Sequence, residues 1–446
     1  MSVSPDMRGF DPATATTEEV LIAARALVGK KVGEIGYSLP TALTAPSSAH
    51  NKGVVGRVYE EYFNIAQNSD PRPDFIGAGI ELKSTGVHVD ADGETRHKER
   101  LSLRMMGTFD PAEEWPTSSL RSKLDHLLII YYGYRAGDPV GSFPTLGVVL
   151  WVPSEDELAL LAADWATIRD VWGRGGELSD SLTRVLSAST KGARDSVTRA
   201  FALKPRFNHS IYLSSIEAMP AESLQATFGG SPSFEERVVD KLREYAGRTV
   251  AQVRQAVDRP QSDAKDAQAA TIRSLVGLRR RGESQEFERY GLDVKTVPIS
   301  PEGRTWERMS FSAFLPAELV DASWDESELA SQLNRLVIVP LVRPLRETPR
   351  DEAIVGRAFL WTPPDALTVS IRATWEAYRD RVMDGHAEDY PRASDGLPIF
   401  VNTHGRDATD RVPAPGGVST ARRSFWLHPD VVTSAITESG LGWRGT

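Results

Sequence analysis

Residues 73–83, PDFIGAGIELK, set Asp74, Glu81 and Lys83 along a stretch that is otherwise apolar and interrupted by glycine. In an extended strand alternate side chains share a face, so Ile80 and Leu82 can enter a core while Glu81 and Lys83 project together on the other side. Two carboxylates and an ammonium at this spacing suit phosphodiester hydrolysis. Carboxylate oxygens are the hard ligands that Mg2+ prefers, and the metal lowers the pKa of a bound water. A lysine beside that water can orient it and offset charge developing on phosphorus. On this reading Asp74 and Glu81 hold the metal, with help from the Leu82 carbonyl, and Lys83 handles the nucleophile. Glu60, on the preceding helical stretch GVVGRVYEEYFNIA (53–66), supplies an outer or second-metal carboxylate. The same residue pattern also occurs on ordinary solvated strand faces, so the rest of the chain has to decide between the two.

The chain around this stretch repeats itself. LVGKKVGEI (27–35) pairs with YAGRTVAQV (245–253), and DFIGAGIELKSTGV (74–87) with EFERYGLDVKTVPI (286–299). KLDHLLIIY (123–131) pairs with QLNRLVIVP (332–340), and STKGA (189–193) with NTHGR (402–406), followed by SIYL (210–213) and SFWL (424–427). The anchors keep their order at an offset between 209 and 218. Such self-similarity marks a duplicated unit, here spanning 1–225 and 230–446. The join falls at GGSPS (229–233), after which Ser233 and Glu236 form a capping-box pattern for a new helix. Each copy mixes helical and strand-like stretches, predicting an α/β fold with a mixed sheet flanked by helices. In copy one, DADGE reads as a turn into the strand RLSLRMM, SSLRSKLDHL as a helix, LLIIYYGY and TLGVVLWV as buried strands, and SEDELALLAADWATIRDVW as a long helix capped by serine.

Composition narrows the classes. The chain has 446 residues, 40% hydrophobic and 25% charged, the balance of a globular protein of two or three domains. No apolar run approaches the roughly 18–20 residues of a membrane span. The N-terminus carries no secretory pattern, and there is no cysteine, which excludes disulfides and cysteine nucleophiles and fits a reducing cytoplasm. The net charge of −9 argues against non-specific coating of nucleic acid and confines any DNA contact to a shaped groove. The eight histidines form no metal-spaced pair, and no GxxxxGKS loop is present, so no nucleotide cofactor is expected.

The motifs KGVVGRVYEEYF (52–63), PDFIGAGIELKST (73–85), KERLSL (98–103), LRSKLDHLL (120–128) and LSASTKGARD (186–195) resemble those of the MutH-like endonucleases, which include two-domain type II restriction enzymes that cut at GATC. The resemblance covers nearly the whole chain. It implies tandem restriction-endonuclease-like domains, Mg2+ as cofactor and double-stranded DNA as substrate. It assigns catalytic roles to Glu60, Asp74, Glu81, Lys83 and a further lysine, Lys123. Copy two departs from the pattern. Glu286, Asp293 and Lys295 keep the spacing with Asp and Glu exchanged, Gln332 stands where Lys123 is expected, and the match to Glu60 falls near Ile272. A degenerate second site, kept for DNA binding and regulation, is the expectation. One active centre then implies dimerisation on DNA or two successive nicks.

Groove readout requires donors and acceptors on well-placed loops. Copy one offers Ser189, Thr190 and Lys191 before Gly192, then Lys204, Arg206, Asn208 and Tyr212 ahead of a helix. Copy two offers Thr403, His404 and Arg406, then Arg422, Arg423 and Trp426.

Overall fold

A computed structural model describes residues 9–35, 40–47, 53–66, 72–90, 93–107, 109–190, 198–216, 233–262, 264, 266–278, 285–405 and 409–440. The chain divides into two compact units, Met1–Met219 and Pro220–Thr446. Among the described residues, no helix is long and apolar enough to cross a membrane.

In the first unit, β1 (Glu81–Val89), β2 (Thr95–His97), β4 (Leu127–Tyr134) and β5 (Thr145–Trp151) form a mixed sheet in the order β2-β1-β4-β5. The β1/β4 pair is parallel and the other two are antiparallel. Every residue of β4 is buried, as expected of a central strand covered on both faces. Ile80, Leu82, Leu128 and Ile130 face the helices Thr17–Arg25 and Val54–Tyr62, packing with Val20, Val55 and Phe63. Val87, Leu127, Ile129 and Tyr131 face the opposite way, into a second core with Leu103, Trp165 and Phe201. That core is closed by the long helix Glu155–Gly173 and by a three-stranded sheet of β3 (Leu101–Met105), β7 (Arg199–Leu203) and β6 (Leu186–Thr190). Asp90 N–H donates to the Glu94 carbonyl at 2.9 Å, Gly93 sits at φ +86°, and the chain enters β2 before it reaches β3, which belongs to the second sheet.

The second unit repeats this plan. β8 (Asp293–Ile299) runs parallel to β10 (Leu336–Val342), which also pairs with β11 (Ile354–Val355) and β12 (Phe359–Trp361). A separate sheet has the order β13-β16-β9, from Ile399–Thr403, Arg423–Leu427 and Met309–Phe314. The register is preserved: Glu81 lies opposite Leu127 as Asp293 lies opposite Leu336, and Lys83 opposite Ile129 as Lys295 opposite Ile338. The same backbone bonds recur, Gly29 N–H to the Thr145 carbonyl and Gly247 N–H to the Val355 carbonyl, both at 2.8 Å.

One element of the repeat is corrected. SIYL lies in the helix Pro205–Ile216, whereas SFWL is strand β16. The strand register pairs Leu186 with Leu203 and Ile399 with Leu427, so β7 corresponds to β16, and the helix Pro205–Ile216 to Pro429–Glu438. The hairpin of β14 (Arg411–Ala414) and β15 (Val418–Ala421) lengthens the second unit's connection and shifts the offset there.

Candidate metal and phosphodiesterase centre

Asp74 precedes a tight turn in which Phe75 and Ile80 exchange backbone hydrogen bonds of 2.9 and 3.2 Å. Gly79 sits at φ +66°, a region in which a side chain is strained. The turn delivers the chain into β1 and brings Asp74 back beside it, where its Oδ2 accepts from the Leu82 N–H at 2.9 Å. Lys123 arrives differently. It stands in the helix Ser119–Leu124, whose N-terminus is capped by Ser118 at 3.0 Å and which runs directly into β4. Because β4 pairs in parallel with β1, the end of that helix is set beside Glu81.

Glu81 is the centre of the cluster. Its side chain is 3% exposed, and its Oε1 accepts from Lys83 Nζ at 2.6 Å and from Lys123 Nζ at 2.8 Å. Its Oε2 is buried and has no hydrogen-bond partner. A buried carboxylate oxygen left without a partner is costly. Together with Asp74, the hard-oxygen donor set fits a divalent cation such as Mg2+. Burial pushes the Asp74 carboxyl above its ordinary range, and the Glu81 charge adds to this; Lys83, the Leu82 amide and Lys123 work in the opposite direction. Among the described residues, no group of three or more His, Cys, Asp or Glu side chains that could hold a metal ion is found; Asp74 and Glu81 are the two carboxylates that interact here. Glu60 stands half-buried in the last turn of the helix Val54–Tyr62.

The second unit preserves the frame of this site but changes its chemistry. Phe287 and Leu292 repeat the turn, with Gly291 at φ +61°, yet Glu286 stands in a helix, Gln285–Tyr290, where Asp74 is in a loop. Lys295 donates to the Ser310 carbonyl at 2.8 Å and lies 4.9 Å from the Phe311 ring centroid. Gln332, at the Lys123 position, is buried and bonds to Ser312 at 2.6 Å and to Glu328. The counterpart of Glu60 is Arg273, one residue beyond Ile272. Asn64 at φ +55° and Gly277 at φ +78° end the two helices in the same way. Asn64 bonds to the Glu61 carbonyl and Ile65 to that of Glu60; Gly277 bonds to that of Ser274 and Leu278 to that of Arg273. A carboxylate is thus replaced by a guanidinium. The left-handed residue that closes each helix is the sequence signal that would have fixed this alignment.

The DNA-reading candidates separate by burial. Asn208 is 3% exposed, its Nδ2 donating to Thr85 Oγ1 at 3.3 Å and its Oδ1 accepting from Tyr131 at 3.1 Å. Tyr212 packs on Tyr131 with ring centroids 4.8 Å apart, and Arg206 is buried in the same helix. Lys204 donates to the carbonyls of Asp180 and Thr183. Arg423 is buried, stacked 4.0 Å from the Tyr390 ring and paired with Glu388. These side chains are inside their unit, not ahead of a helix on its surface, and the readout assigned to Arg206, Asn208, Tyr212 and Arg423 is withdrawn. Thr403 and His404 are exposed at the end of β13, with His404 Nδ1 2.9 Å from Ser424 Oγ. Arg422 is half-buried and bonds to Asp410 at 3.1 Å. Ser189 is buried against the Ala200 carbonyl, Thr190 ends β6, and Lys191, Gly192 and Arg406 lie outside the described residues.

A family profile described as DNA mismatch repair enzyme MutH matches residues 63–164 and 280–373. The first span contains Asp74, Glu81, Lys83 and Lys123, and the second Glu286, Asp293, Lys295 and Gln332. The type II restriction enzyme Sau3AI of Staphylococcus aureus is 28% identical over 339 residues, covering 70% of this chain and 68% of that protein. The DNA mismatch repair protein MutH of Shewanella woodyi is 30% identical over 188 residues, 42% of this chain and 80% of that protein. MutH of Escherichia coli is 29% identical over 156 residues, 35% of this chain and 66% of that protein.

Proposed function

We propose that this chain, which belongs to the MutH family of nucleases, is a type II restriction endonuclease making Mg2+-dependent double-strand cuts at GATC or a related short palindrome. The observation that carries the reading is the buried Glu81 carboxylate, bonded by Lys83 and Lys123 and flanked by Asp74. Asp74 and Glu81 would hold Mg2+, with the Leu82 carbonyl as a further donor. When bound, the metal supplies an activated water and neutralises charge on the scissile phosphate. Lys83 orients the water from the same strand face as Glu81, and Lys123 balances the charge that builds on phosphorus. Asp74, whose protonated form is favoured by burial, must be ionised for the site to work.

The restriction reading is preferred over nicking because the match to Sau3AI runs over 339 residues, more than either unit contains, while the MutH proteins match 35–42% of the chain. The second unit, with Arg273 for Glu60 and Gln332 for Lys123, serves as a DNA-binding and regulatory copy. A single centre cuts one strand at a time, so cutting both strands calls for two copies of the chain on DNA or two successive nicks. The test is incubation of purified protein with unmethylated plasmid and Mg2+, followed by sequencing of the ends. Discrete fragments sharing one terminal sequence are expected. Nicked circles alone would favour a repair-type nickase, and intact plasmid would leave a catalytically silent DNA-binding protein.

A further inference from the structure

Residues 10–15 form a compact segment ahead of the helix Thr17–Arg25. The Asp11 carboxylate accepts from the Ala13 N–H at 3.0 Å and the Thr14 hydroxyl at 2.9 Å, and the Asp11 carbonyl from the Ala15 N–H at 2.9 Å. The far end is fixed by the capping box of Thr16 and Glu19. The near end is fixed by Asn64, whose Nδ2 donates to the Phe10 carbonyl at 2.8 Å. Held in this way, the segment lies against the turn that carries Asp74. The fully buried Phe75 ring meets Phe10 at 6.2 Å and Phe63 at 5.1 Å between centroids, both edge-on. Two residues further on, a Cβ at Gly77 would lie 3.0 Å from the Ala13 carbonyl oxygen and 3.1 Å from that of Ala15. Gly77 is not at positive φ, so this close backbone approach is what excludes a side chain there. The Leu82 N–H thus fixes an oxygen of Asp74, while the segment fixes the backbone that follows it. We infer that residues 10–15 are a clasp setting the place of the Asp74 turn at the metal centre, with Phe10, Asn64 and Gly77 as positioning residues, an inference that rests on the nuclease reading.

The duplicated unit holds its turn by other means. Phe287 stands in the place of Phe75, and its ring meets Phe234, the first residue of the helix Phe234–Arg243, at 5.1 Å. Gly277, which has no side-chain amide, takes the left-handed position of Asn64. Arg289, inside the helix Gln285–Tyr290, stands where the first unit has Gly77. Phe287 and Leu292 are nonetheless buried in a closed core. Asn64 and Gly77 are therefore not needed to close such a core, and they occur in the unit that keeps Asp74. A carboxylate that holds a metal tolerates only about 0.5 Å of displacement, a demand that core closure does not make.

The test uses the full-length chain with Asn64→Gly, Gly77→Ala, Phe10→Ala and Phe10→Leu, read by Ca2+ calorimetry, by cleavage across a Mg2+ titration, and by Tm. Asn64→Gly keeps a residue suited to the left-handed helix end and removes the amide that holds Phe10. Asn64→Gly and Gly77→Ala should each weaken Ca2+ binding severalfold and raise the Mg2+ needed for half-maximal rate to match. Cleavage should slow about tenfold, with KM for DNA unchanged. Phe10→Ala should behave likewise, and Phe10→Leu, which still fills the space beside Phe75, should stay within about threefold of the parent. Variants that lose Tm while Ca2+ affinity and Mg2+ requirement stay at the parent's values would make the segment a stabilising element only. That result would overturn the inference and leave the nuclease reading intact. A parent protein that neither cuts DNA nor binds Ca2+ would bring down both.

Discussion

Lys123 reaches Glu81 across 42 positions of sequence and donates to its Oε1 at 2.8 Å, on the same oxygen that accepts from Lys83. The contact exists because the short helix carrying Lys123 ends where β4 begins, and β4 lies parallel to β1. Both ammonium groups bond to one carboxylate oxygen, and the other is buried without a hydrogen bond.

Substituting Lys123 by Ala should lower the cleavage rate by about 10²–10³-fold, the range for loss of one charge-stabilising donor, with DNA affinity little changed. Single-turnover rates and a gel-shift titration separate the two effects. A comparable loss in affinity would mean that Lys123 is chiefly a DNA contact.

Asp74 should govern stability in the metal-free protein. Its folded-state pKa is raised by burial and by Glu81, so the native state holds this proton more tightly than the unfolded chain. The ionised group therefore costs stability above its raised pKa, and that cost disappears below the ordinary carboxylate value of about 3.9. Asp74→Asn should raise Tm at pH 7 in EDTA while abolishing cleavage, and the gain should vanish toward pH 4. A Tm that falls at neutral pH would contradict this assignment.

In the second unit, Asp293→Ala should leave the cleavage rate within about twofold, because Arg273 and Gln332 already break the catalytic pattern. Rates measured at saturating DNA would check this. Complete loss would show a second working centre.

Asn208→Ala should act on stability, not on sequence preference. It removes a buried amide bonded to Thr85 and Tyr131, leaving both without that partner, at a cost of about 1–3 kcal/mol. For a unit of this size that is about 2–4 °C in Tm per kcal/mol. Unchanged stability together with relaxed site preference would return Asn208 to the readout surface. His404→Ala, at an exposed strand end, should instead weaken DNA binding at unchanged Tm.

The Asp74, Glu81 and Lys83 part of the proposed centre was legible as a cluster because its spacing is local. Asp74, Glu81 and Lys83 lie on one turn and one strand, and the alternation of a strand alone places Glu81 and Lys83 together. The duplication was legible wherever backbone demands repeat, as at Gly29 and Gly247, or in the parallel strands Glu81–Val89 and Asp293–Ile299. It failed where length varies: the hairpin after β13 shifted the offset, so a short aromatic match aligned a helix with a strand. It failed by one residue at Glu60, where a left-handed helix end, not side-chain similarity, sets the correspondence with Arg273.

Sequence by itself determined which residue types were present, their order on each strand, and the existence of a second, altered copy. Tertiary structure alone decided which of them stay exposed and which fill a core. Asn208, Tyr212 and Arg423 carry the same groups as surface readers, but the helix Pro205–Ile216 and strand β16 turn them into the interior. It also decided that Lys123 and Glu81 meet, since burial and long-range pairing depend on how the sheets close, which a linear pattern does not encode.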